Sequence, residues 1–128
     1  MRKQVNRLLY FTPAIGWMCS VLILSTQRLN TVQIPLFPGI DKVVHFTFYG
    51  IMVIVFAWAY YKLNQLNLSK LLIAVYWSIL FGGLIELIQH YLIDGRTGDW
   101  ADFAANTIGA LFGSYIVYKK YLTRTTQK

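Results

Sequence analysis

Four apolar stretches, separated by charged or turn-forming residues, set the rhythm of the chain. They run from about Leu8 to Thr26, Val43 to Tyr61, Leu71 to Ile93 and Trp100 to Tyr118, each about the length needed to cross a hydrocarbon layer of roughly 30 Å. Runs of this kind predict helices, because in lipid a helix satisfies its backbone hydrogen bonds within itself. Pro13 falls in the first turns of the first stretch, where its missing N–H costs least. Pro35, Pro38 and Gly39 mark the turn before the second, with Asp41 as the expected N-cap. The D-G-R-T-G segment at Asp94 to Gly98 is a tight turn, and Asp99 and Asp102 follow it at the N-cap and N3 positions of a fourth helix. That helix is the weakest hydrophobic signal, since Asn106, Thr107 and Ser114 interrupt it.

Composition sharpens this into a class. The 128 residues are 56% apolar and 13% charged, against about 25% charged for a soluble domain. Four spans leave little chain for anything else, so the expectation is one all-α integral membrane domain over residues 1–128, a bundle of four transmembrane helices. The first span lacks a small-residue cleavage site and is read as uncleaved. Cys19, the one cysteine, lies in an apolar run and is read as a small buried packing residue. No Cys/His spacing resembles a zinc ribbon or finger, no metal site is assigned, and the sequence names no cofactor.

The net charge of +7 would point to nucleic acid in a soluble protein, but here it reports topology. Nine of the twelve Lys and Arg residues lie at the two termini or between Lys62 and Lys70, leaving Arg28, Lys42 and Arg96 on the other side. Both termini are therefore expected to be cytoplasmic, with the bilayer itself as partner and no nucleic acid.

With that orientation, none of the five acids is cytoplasmic. Asp41, Asp94, Asp99 and Asp102 sit at outer helix ends, and Glu86 lies within the third span. Counting inward from Asp41 at the helical rise puts His45 about 6 Å and Tyr49 about 12 Å deep; counting from Asp94 puts His90 about 6 Å and Glu86 about 12 Å deep. His45 is thus expected level with His90, and Tyr49 with Glu86. Asp41, His45 and Tyr49 form one helical stripe, Glu86, Gln89 and His90 a second, and Asp102, Asn106, Gly109 and Gly113 a third. Glu86 is expected to face the bundle interior, since an ionisable group in hydrocarbon costs about 2.5 to 3.5 kcal/mol unless it meets a partner or water. Gly109 and Gly113 form a GxxxG pattern that permits close helix approach. Each polar residue also has a plainer role open to it. Asp41 and Asp99 serve as caps, Lys42 as a solvated interface residue, His45 and His90 as interhelical hydrogen-bonding groups, and Arg96 as a brace for the turn.

D-K-V-V-H-F at Asp41 to Phe46, with the segment from Glu86 to Gly109, resembles the VanZ-like family of bacterial membrane proteins. The resemblance covers essentially the whole chain and falls on Asp41, Lys42, His45, Glu86, Gln89, Gly95, Arg96, Asp99, Asp102, Asn106 and Gly109. It implies a multi-pass protein of the bacterial cytoplasmic membrane. The family takes its name from a protein associated with teicoplanin resistance, and glycopeptides act on lipid-linked cell-wall precursors outside the membrane. The leading functional expectation is binding or shielding of an anionic or lipid-linked outer-leaflet component, with Lys42 and Arg96 supplying charge to a phosphate. The alternative is an enzyme acting on a lipid headgroup through Glu86, His90 and Asp102. In it, Asp41/His45 and Glu86/His90 are also geometrically suited to a divalent metal. An ion or proton pathway is the third, and it lacks ionisable residues in the inner halves of the helices.

Overall fold

The computed structural model describes residues 7–27, 37–93 and 98–125. A 3₁₀ turn, Arg7–Phe11, leads into helix α1, Thr12–Thr26. Helices α2, Ile40–Lys62, α3, Leu68–Leu92, and α4, Trp100–Val117, follow. A single π turn, Tyr118–Leu122, closes α4. Among the described residues there is no strand. Arg7–Thr26, α2 and α3 are long and apolar enough to cross a membrane. The fourth helix forms where the sequence predicts it, but its 18 residues reach only about 27 Å and it carries the polar residues that weaken its hydropathy.

Helix boundaries follow their caps. Asn67 accepts a hydrogen bond from Lys70 N–H at 2.9 Å, which starts α3 three residues before the apolar run. Asp99 caps α4 as expected, accepting from Ala101 N–H at 2.8 Å. Asp41 does not cap α2. That place belongs to Gly39, whose φ of 84° only glycine adopts without strain, and Asp41 lies inside the first turn.

Two close approaches set the bundle. A Cβ at Gly109 would collide with the Phe46 carbonyl, and one at Gly113 with the Gly50 carbonyl, so α4 lies backbone to backbone against α2. Lipid tails are as apolar as leucine, so helices associate here through contact rather than exclusion from water, and small residues permit that contact. Tyr49, Met52, Val53, Ile85 and Ala110 fill the core between α2, α3 and α4. Helix α1 is fastened from outside this trio, which leaves Cys19 on its outer face exposed rather than buried. Trp17 Nε1–H donates to the Phe48 carbonyl at 2.9 Å, and Gln89 Nε2–H donates to the Ser25 carbonyl at 2.8 Å.

Candidate functional site

The polar residues inside the helices sort into two kinds. The hydroxyls of Ser20, Thr26, Thr47, Ser78 and Thr107 each donate to a carbonyl of their own helix. They are satisfied locally and carry no further implication. The second kind gathers at one end of the bundle, where α2 and α4 begin and α3 ends.

Lys42 is the hub of its outer part. Its Nζ lies 2.6 Å from Asp41 Oδ2, 3.0 Å from Asp99 Oδ2 and 2.8 Å from Asp102 Oδ1. The last is a charge contact without hydrogen-bond geometry. Asp99 stands outside the apolar helices. The Ala101 N–H, and after it the Lys42 ammonium, hold its carboxyl below the usual carboxylate range.

Below Lys42 the side chains become more buried. His45 Nδ1 lies 2.9 Å from Asn106 Oδ1, and its Nε2 lies 3.8 Å from Asp102 Oδ2. Glu86, only 8% exposed, accepts the Asp99 backbone N–H through Oε2 at 3.1 Å. Its Oε1 lies 4.0 Å from His45 Nδ1 and has no hydrogen-bond partner among the described residues. Asn106 Nδ2 and the Tyr49 hydroxyl are likewise buried without a hydrogen-bond partner among the described residues. His45, Glu86 and Asp102 each bring one donor atom within 4.8 Å of the others'. Among the described residues, four carboxyl groups and one ammonium gather here.

The pairing across α2 and α3 is one turn out of the expected register. His45 meets Glu86, not His90, and Tyr49 sits against Gly82, whose Cβ would lie 3.0 Å from Tyr49 Cε1. The reason is the reference point. Helix α3 ends at Leu92, so from the real helix ends His45 is about 7.5 Å deep and Glu86 about 9 Å. His90 is exposed, packs edge-on against Tyr91 at 4.7 Å and stands apart from the trio. Gln89 is buried but turned away toward α1. Arg96, with Asp94, Gly95 and Thr97, lies outside the described residues.

Sequence reasoning missed a groove of about 640 Å³ along α3 and the start of α4. Leu80, Leu84, Leu87, Trp100 and Phe103 form its walls, and Glu86, His90 and Asp99 its polar end. It extends along α3 from Tyr76 to Tyr91, about 22 Å by the helical rise. Gly83 opens its middle, since a Cβ there would lie 3.3 Å from Phe103 Cε2. The Gly82-Gly83 pair was the signal available for both this opening and the Tyr49 contact.

The sequence model of the VanZ/LLP1 family matches residues 4–122. The chain belongs to the VanZ/LLP1 family. The match takes in all four helices, and with them both halves of the polar cluster and the groove. Comparison with curated proteins and with solved structures returns no match.

Proposed function

We propose that this VanZ/LLP1 protein binds a lipid of the outer leaflet, with the hydrocarbon chain in the α3/α4 groove and the headgroup at the polar cluster. The observation that carries the reading is the continuity of the two. Hydrocarbon fills any groove facing lipid, so the apolar walls alone select nothing. A groove about 22 Å long that ends on Glu86, His90 and Asp99 offers a chain and its head separate surroundings. The nine-to-three division of Lys and Arg supports an orientation with this end outside the bacterial cytoplasmic membrane and both termini in the cytoplasm. The ligand is then an anionic or lipid-linked component of the face where glycopeptides meet cell-wall precursors, and teicoplanin susceptibility is the cellular readout. Lys42 is committed to three carboxylates, so the charge it was expected to lend a phosphate is already engaged.

The test is photo-crosslinking in vesicles with an anionic phospholipid bearing a diazirine in its acyl chain. Crosslinks are expected to concentrate on Leu84, Leu87 and Phe103, and to fall several-fold in Gly83→Leu, which fills the groove. Even labelling of every lipid-facing surface, unchanged by Gly83→Leu, would refute the reading. A second reading, acid–base chemistry on the headgroup, draws on the 4.0 Å approach of Glu86 to His45 and places His45, rather than His90, beside the carboxylate. Turnover of a lipid-linked precursor, lost in Glu86→Gln, is its test.

A further inference from the structure

We propose that His45, Glu86 and Asp102 form a binding site for one divalent metal ion, of the Mn²⁺ or Zn²⁺ class. Four observations converge. The three donor atoms come from three different helices and lie within 4.8 Å of one another. Glu86 is buried, and its Oε1 has no hydrogen-bond partner while facing the trio. A buried carboxylate oxygen left in that state is costly, and a cation relieves the cost. The cluster also holds four carboxylates, those of Asp41, Glu86, Asp99 and Asp102, around the Lys42 ammonium. That excess of acidic groups among the described residues attracts a cation, which would in turn present positive charge to an anionic headgroup at the end of the groove.

The surrounding contacts are those of a supported metal ligand set. Asn106 Oδ1 accepts from His45 Nδ1–H at 2.9 Å, which leaves the Nε2 lone pair free on the side of Asp102. The Asp99 N–H holds Glu86 Oε2, which fixes the carboxylate plane and leaves Oε1 available. Such outer contacts orient ligating histidines and carboxylates. The 3.8 Å between His45 Nε2 and Asp102 Oδ2, and the 4.8 Å within which all three donor atoms lie, exceed the roughly 3 Å between neighbouring ligands of an ion with bonds of about 2.1 Å, so a bound ion draws the side chains in by roughly 1–2 Å. One imidazole with two carboxylates is a mixed donor set. It is harder than the thiolate sites of structural zinc and softer than the all-oxygen sites of calcium, which selects Mn²⁺ or Zn²⁺. Lys42 caps the outer side through Asp102 and is not a ligand.

The claim stands apart from lipid binding and is tested with metal alone. Full-length protein in detergent, stripped with a chelator, is dialysed against Mn²⁺ or Zn²⁺, and retained metal is counted by mass spectrometry. For Mn²⁺, loss of the free-ion paramagnetic resonance signal gives a second reading. Wild type is expected to retain about one equivalent of one of the two. Affinity should fall at least tenfold in His45→Ala, Glu86→Gln and Asp102→Asn, and roughly tenfold in Asn106→Ala, which frees the imidazole to turn. Ser114→Ala, on the same helix and bonded to its own backbone, should bind as wild type does. Size-exclusion profiles establish that each variant is assembled. If His45→Ala is not, His45→Gln, which keeps a polar group beside Asn106, carries the test. No saturable uptake by wild type, or uptake lost in His90→Ala but kept in His45→Ala, overturns the proposal.

Discussion

Gly109→Ala is the sharpest perturbation of this bundle, because the added methyl meets backbone rather than a side chain that can swing aside. A Cβ at Gly109 falls within the Phe46 carbonyl group, and Gly113 makes the same kind of approach to Gly50 one turn further on. To restore ordinary van der Waals distance, α4 must retreat from α2 by on the order of 1 Å. Overpacking of this kind costs about 1–3 kcal/mol, and the upper part of that range applies where neither partner can rotate away. The same retreat stretches the His45–Asn106 contact from 2.9 Å past hydrogen-bonding distance, which removes about another 1 kcal/mol. The expected loss is therefore about 3 kcal/mol. Thermal or denaturant unfolding of the detergent-solubilised protein measures it. Gly16→Ala is the internal control, since a Cβ there meets nothing within 4 Å and alanine gains about 0.5–1 kcal/mol in a helix interior. If the two variants unfold together at or above wild type, α2 and α4 are not in backbone contact and the account of how the site is held together fails.

Two further outcomes follow from the caps and the charge distribution. Asp99 has its carboxyl held below the usual range by the Ala101 N–H and Lys42, so the cap's stabilisation is fully present above its ordinary value near 4 and is lost only as pH falls through the lower folded value; amide exchange at the start of α4, corrected for intrinsic rates, should give the same protection from pH 8 to 5, and a loss near pH 6 would contradict it. In a Cys19→Ser background, Gln65→Cys should react with an impermeant maleimide only after the cell is permeabilised, and labelling of intact cells would reverse the orientation.

Much of the fold is legible in the order of residues. Apolar runs separated by Pro, Gly and charge produce four helices, and the GxxxG pair does bring α4 against α2. Helix starts are less legible, because a cap such as Asn67 draws the helix outside the apolar run that announces it. The polar stripes do converge at one end of the bundle, but the contacts between them are not legible in the sequence. Stripe membership fixes the face of a helix, whereas contact also requires the relative height of two helices, and that depends on where each one ends. Counting from Asp94 rather than Leu92, and from Asp41 rather than Ile40, misplaced Glu86 relative to His45 by about 4.5 Å and matched it with Tyr49 instead. Gln89 shows the same limit in rotation: it shares a stripe with Glu86, yet its amide reaches α1 and the Ser25 carbonyl. The groove was invisible for a different reason. Leu87 and Trp100 are lipid-facing in any helical reading, and the space between them comes from the divergence of two helices, which no single-helix pattern encodes.

The distribution of unsatisfied groups separates site from scaffold. A membrane helix has an inexpensive way to carry a hydroxyl, and this chain uses it at Ser78 and Thr107, whose side chains return to their own backbones. Tyr49, Glu86 and Asn106 do not take that route, and each leaves a buried polar atom without a partner. At about 1–3 kcal/mol apiece, three such atoms weigh heavily against the 5–15 kcal/mol that typically separates folded from unfolded protein. Packing alone would favour leucine, phenylalanine and alanine in their places. Their clustering around His45, with Glu86 also lining the groove, is what a site preformed for a polar ligand requires, and it supports the proposal that the cluster binds rather than only braces the bundle.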